Sequence, residues 1–146
     1  MAKLDLAYFW AFWHNPFVAS NRLKEEECLV TQHRVVVTVT DGPESWPFLL
    51  NSLGNLLAAY PEGSLTVEVV AYGPKGISLL RKGGSGADRL TELNGRGLRC
   101  LACGNTLKNQ QISQEDLLAF VEVVPAGIAH LIEREEEGWS YVKGGF

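Results

Sequence analysis

Residues 34–40 read RVVVTVT, the clearest strand in the chain, and the turn formers Asp41, Gly42 and Pro43 follow it at once. After that turn Trp46, Leu49, Leu50, Leu53, Leu56, Leu57 and Tyr60 recur at helical spacing. The spacing predicts an amphipathic helix over 44–60, ended by Pro61, Glu62 and Gly63. A second β-branched run, LTVEVVAY at 65–72, is the next strand, followed by short helices at 76–80 and 87–94 around the flexible Lys82-Gly83-Gly84-Ser85-Gly86 turn. Residues 98–102 (LRCLA) are a third strand whose end delivers Cys103 into a turn. Ser113 with Asp116 resembles a capping box and opens a short helix before a fourth strand at 121–124. Pro125 breaks that strand, and Ile128, Leu131 and Ile132 are expected to lay one helix face on the sheet. Residues 139–142 are expected as a fifth, edge strand. Such alternation of strand and helix argues for a parallel sheet covered by helices, an α/β fold.

Composition agrees with one globular domain. The chain has 146 residues, 46% apolar and 21% charged, which excludes intrinsic disorder. Folding at this length removes roughly 68% of the unfolded surface, so an apolar core suffices without disulfide staples. A net charge of -4 is too acidic for nucleic-acid binding as the main task. The three cysteines, Cys28, Cys100 and Cys103, leave at least one thiol without an intramolecular partner, and a reducing cytoplasm is the expected compartment.

Residues 1–32 differ from the rest and read as an aromatic-rich N-terminal extension to a domain at 33–146. Six of the fourteen aromatics (Tyr8, Phe9, Trp10, Phe12, Trp13 and Phe17) fall within ten residues. A short helix is expected over 4–13, stopped near His14 because Pro16 disfavours helical geometry in Asn15. The apolar run at 6–13 is too short to span a bilayer, which needs about 20 residues. These rings are expected to dock on their own domain or on a sister subunit, the alternative being an exposed binding or membrane-surface patch.

In open parallel sheets ligands bind beyond the carboxyl ends of the strands. That rule selects residues 41–45, 73–76, 103–106 and 125–127, among which Cys103 is the strong nucleophile. A helix beginning at Asn105 or Thr106 would aim free N–H groups at its sulfur and favour the thiolate. Residues 75–108 hold seven Lys or Arg against Asp88 and Glu92, which suits either an anionic site or a solvated helix face. The Cys100-x-x-Cys103 spacing does not make a thioredoxin pair. An extended strand sets the two Cα atoms roughly 10 Å apart and sends the side chains to opposite faces. No intramolecular disulfide is expected, and Cys100 reads as a core residue. Zinc would need two further ligands, and His14, His33 and His130 stand at unhelpful spacings. His130 reads as a surface histidine, and Glu133, Glu135, Glu136 and Glu137 as a solvated face.

Four blocks in order, VVAYGPKG (69–76), ACGNTL (102–107), VEVVPAG (121–127) and EEGWSYVK (136–143), resemble the DsrE/DsrF-like (YchN-like) family from about residue 34 to 143. The resemblance implies a three-layer α/β/α domain with a mainly parallel five-stranded sheet, symmetric trimers or hexamers, and a cysteine at the position of Cys103. In the sulfur-relay members such a cysteine carries sulfane sulfur as a persulfide. The expected function is therefore cytosolic sulfur handling. Cys103 accepts and passes sulfur between donor and acceptor proteins, with Gly104, Asn105, Thr106, Asp41, Gly73 and Pro125 around it. Neither a cofactor nor a metal is called for. The alternatives are a non-catalytic oligomeric module that binds a small anion or a partner protein, and a thiol redox sensor.

Overall fold

The computed structural model describes residues 31–145, so the expected helix over 4–13 and the rest of the aromatic arm lie outside the described residues. Strand β1 (His33–Val39) leads through a hydrogen-bonded turn to helix α1 (Trp46–Ala59) and back to β2 (Leu65–Ala71). Then come α2 (Gly73–Gly76), a 3-10 turn (Ile77–Leu80), α3 (Ala87–Gly95), β3 (Arg99–Cys103) and α4 (Gly104–Asn109). A 3-10 turn (Gln114–Asp116), opened by the Ser113/Asp116 capping box, precedes β4 (Glu122–Val124), α5 (Gly127–Glu136) and β5 (Ser140–Gly144). All five strands run parallel in the order β4-β3-β2-β1-β5, with β5 at the edge beside β1. Helix α1 starts two residues later than its apolar pattern suggests, because the turn closed by Ser45 N–H on Gly42 O (3.1 Å) precedes it and Pro47 belongs in its first turn.

Period-two alternation divides the strands between two layers. Val35, Val37, Val39, Val67, Val69, Ala71, Cys100 and Ala102 turn to one face, under α1, α3 and the 3-10 turn 77–80. Val36, Val70 and Leu101 turn to the other, with Trp139, Tyr72, Val124 and Leu131. Helix α5 links β4 at one edge to β5 at the other and rests on β2, β3 and β5, so the molecule has three layers, α/β/α.

Helix α5 does not face the sheet as expected. Ile128 and Ile132 are 60% and 53% exposed, whereas Gly127, His130, Leu131 and Arg134 turn inward. The cause is Glu68, a carboxylate without solvent exposure on the α5 face of β2. Its Oε2 lies 2.7 Å from His130 Nε2 and accepts from Arg134 Nε at 2.9 Å; its Oε1 accepts from Arg134 Nη2 and Arg99 Nη1, both at 2.8 Å. Half-exposing two isoleucines forfeits about 2–3 kcal/mol, while leaving a buried carboxylate unmatched costs about 3–5 kcal/mol, so the helix is oriented by its charges. The expectation of a surface His130 is corrected with it: the imidazole is only 12% exposed.

Burial pushes the Glu68 carboxyl up, and the hydrogen bonds and charges of Arg134 and His130 outweigh it, holding the group below its ordinary 4.5. A depressed carboxyl means that the unfolded chain binds the extra proton. This contribution to stability is therefore complete above about pH 4.5 and is lost as the pH falls through the folded-state value. Denaturant melts from pH 7 down to pH 3 are expected to show that loss in the wild type and not in Glu68→Gln, which should be less stable at pH 7 by about 3–5 kcal/mol.

Candidate functional site

Cys103 ends β3, pairs with Val124 of β4, and serves as the N-cap of α4. Gly104 permits the tight start of that helix. A Cβ there would stand 3.0 Å from the carbonyl oxygen of Val124 and 3.3 Å from that of Pro125, which brings Pro125 against the site. By strand alternation the Cys103 side chain points to the α5 face, where the Gly127 N–H donates to its sulfur at 3.3 Å. A Cβ at Gly127 would press on Cys103 Cβ at 3.3 Å, so glycine is what allows the start of α5 this close.

Further donors come from α4. The backbone N–H groups of Asn105 and Thr106 and the Thr106 hydroxyl all favour the sulfur anion. That hydroxyl also accepts the Gly73 N–H at 3.1 Å, tying the end of β2 to the first turn of α4. Gly73 holds a left-handed φ of 76°, which suits glycine there. Burial alone would raise the Cys103 thiol; the donors of Gly127, Thr106 and Asn105 reverse this and hold it below its ordinary 9.0. The residue is 7% exposed. Cys100, three residues earlier, packs in the core on the opposite face, and burial pushes its thiol up to about 12. Both thiols are free.

Of the residues selected from sequence, Cys103, Gly104, Asn105, Thr106, Gly73 and Pro125 come together. Asp41 does not join them. It follows β1, separated from β3 by the whole of β2, and its Oδ2 is buried beside Gly145, without a hydrogen-bond partner. Tyr72 was not selected, although it stands one step beyond the Ala71–Ala102 pair, beside Cys103. Burial and the neighbouring Tyr141 and Cys103 push its hydroxyl above its ordinary 10.0. Glu68 was also missed, and its signal was a lone acid inside the apolar run LTVEVVAY. Among the described residues no three His, Cys, Asp or Glu side chains are grouped to hold a metal, and no helix is long and apolar enough to cross a membrane.

This architecture occurs in solved structures. The protein of unknown function MTH1491 from Methanobacterium thermoautotrophicum is 35% identical; the alignment covers 77% of this chain and 99% of that one, with a TM-score of 0.72. The chain belongs to the MTH1491 family. At fold level the family's architecture extends to E. coli YchN, 16% identical over 77% of this chain and 99% of that one, TM-score 0.56. It extends also to BT1422 from Bacteroides thetaiotaomicron, 15% identical over 75% and 93%, TM-score 0.57. No family model and no curated protein matches the chain.

The donor set predicts unequal thiols. In native protein Cys103 is expected to alkylate with iodoacetamide at least tenfold faster than Cys100 at pH 7, read by peptide mass spectrometry. Thr106→Val should slow Cys103 several-fold without exposing Cys100. Equal rates for the two cysteines in the wild type would contradict this account.

Proposed function

We propose that this protein handles sulfur, with Cys103 accepting and passing sulfane sulfur as a persulfide, and that it stands with the DsrE/DsrF-like proteins. The observation that carries this reading is a strand-end thiol that caps α4 and takes the Gly127 N–H of α5 on its sulfur at 3.3 Å, with Asn105 and Thr106 favouring its anion. The fold-level likeness to YchN and the four sequence blocks support it. In the loading step the Cys103 thiolate attacks the outer sulfur of a donor persulfide, R–S–SH. The donor S–S bond breaks, R–S⁻ leaves, and Cys103–S–SH forms with no net oxidation. An acceptor thiolate attacks the same outer sulfur in turn and returns Cys103 as thiolate. The N–H donors stabilise that anion at both ends of the cycle.

The reading includes a homo-oligomer, trimer or hexamer, in the cytoplasm, where thiols stay reduced. Ile128 and Ile132 on the outer side of α5, with Val123, Tyr141 and Val142 on the flanking edge strands, leave apolar surface exposed on the chain by itself, as a subunit contact requires. Residues 1–32 are assigned to the same assembly as an aromatic docking arm. The same donors suit a small bound anion as well, and that alternative is separated by chemistry. Incubated with a low-molecular-weight persulfide, native protein should gain the mass of one sulfur on Cys103. The gain should survive Cys100→Ala and vanish in Cys103→Ala; no gain on an accessible Cys103 would favour anion binding. Sedimentation should give a trimer or hexamer, weakened by deletion of residues 1–28, and a monomer would refute the assembly.

A further inference from the structure

Helix α5 does two things at once: its first N–H meets the Cys103 sulfur, and its next two turns meet Glu68. Gly127, His130 and Arg134 stand at i, i+3 and i+7, on one side of the helix. We propose that Glu68 is a positioning residue for Cys103, which by gripping α5 at His130 and Arg134 holds the Gly127 N–H on the sulfur. This rests on the reading of Cys103 as the reactive centre.

Two features of the helix support a role for the grip beyond general stability. First, α5 has little apolar anchorage. Gly127 is its only fully buried residue and Leu131 is partly buried, while Ile128 and Ile132 face outward. What fixes the helix along and around its axis is therefore mainly the bidentate contact of Arg134, the imidazole contact of His130 and the stacking of Arg134 on Trp139 at 4.5 Å. Second, the contact at the sulfur is sensitive. The Gly127 N–H reaches Sγ at 3.3 Å, and a helix tilt that lengthens this separation or bends it off line weakens the interaction. Both Glu68 oxygens accept two bonds each, so no spare acceptor could recover a shifted helix.

Among the described residues the charged groups around the carboxylate come from β3, β4 and α5. Arg99 approaches from β3 and His130 and Arg134 from α5, with Glu122 of β4 and Glu137 at the C-cap of α5 balancing the outer sides of the guanidiniums. Among the described residues, Tyr72, just after β2, is the titratable group that interacts with Cys103.

The test is iodoacetamide labelling of the full-length native protein across pH 5 to 10, resolved by peptide mass spectrometry, in the wild type, Glu68→Gln and Arg134→Gln. The expected result is that the midpoint of the Cys103 profile moves upward in both variants. Labelling at pH 7 should fall about tenfold, the scale of one hydrogen bond to a charged group, while Cys100 stays protected. Arg134→Gln keeps Glu68 paired with Arg99 and His130, so it decides the matter if Glu68→Gln does not fold. A folded variant whose Cys103 profile superimposes on a low wild-type profile overturns the positioning role and leaves the Cys103 reading standing. Cys100 becoming labelled together with Cys103 in the folded variants overturns it too, because the effect is then general loosening. A wild-type midpoint in the ordinary thiol range sinks the Cys103 reading itself.

Discussion

A carboxylate sealed inside a protein must be met by cations, and in this chain the requirement of Glu68 reaches further than any other single contact. The group sits in the middle of β2, the central strand, on the face that α5 covers among the described residues. Arg99 reaches it from the neighbouring strand, and His130 and Arg134 reach it from the helix above. On the other face α1 and α3 pack mainly by apolar burial, which is non-directional and tolerates rotation. Helix α5 instead packs by hydrogen bonds of defined direction, which do not.

That difference accounts for two features that would otherwise look unrelated. Turning positions 130 and 134 inward brings Gly127 over the end of β3, where its N–H finds the Cys103 sulfur. The same rotation turns Ile128 and Ile132 outward and leaves apolar surface on the α5 layer. One constraint thus bears on both the donor placed at the strand end and the character of the outer surface. Trp139 joins the arrangement, lying under the guanidinium of Arg134 just before β5 begins.

The two cysteines of β3 show how environment separates identical groups. Cys100 is surrounded by apolar side chains with no donor to compensate, and its thiol stays protonated. Cys103 lies at a shallower strand end where two helices begin, and backbone N–H groups there favour its anion. Depth in the core and the presence of donors together distinguish them. Gly127 matters because the absence of a Cβ lets its N–H come close enough to donate, and Gly104 because it lets the start of α4 lie against the carbonyls of Val124 and Pro125.

Much of this was legible in the chain itself. The strands and helices follow from local periodicity, because burial on one face leaves a period of two or of 3.6 residues in the sequence. Cys103 as the strand-end thiol, and Cys100 on the opposite face, follow from the same alternation. The Ser113 capping box was readable for a similar reason, since its partners are three residues apart. The facing of α5 was not. Ile128, Leu131 and Ile132 form a plausible apolar stripe, and nothing local states that a carboxylate 62 and 66 positions earlier will claim His130 and Arg134 instead. The Gly73–Thr106 link spans 33 residues and the Gly127–Cys103 contact spans 24. Asp41 illustrates the converse. It occupies a strand end of the right kind, but the strand order puts β2 between it and Cys103. Sequence determined which segments are strands and helices and which thiol stands at an exit. Tertiary structure alone decided which donors meet that thiol, because directional contacts between distant residues leave no periodic trace in the chain.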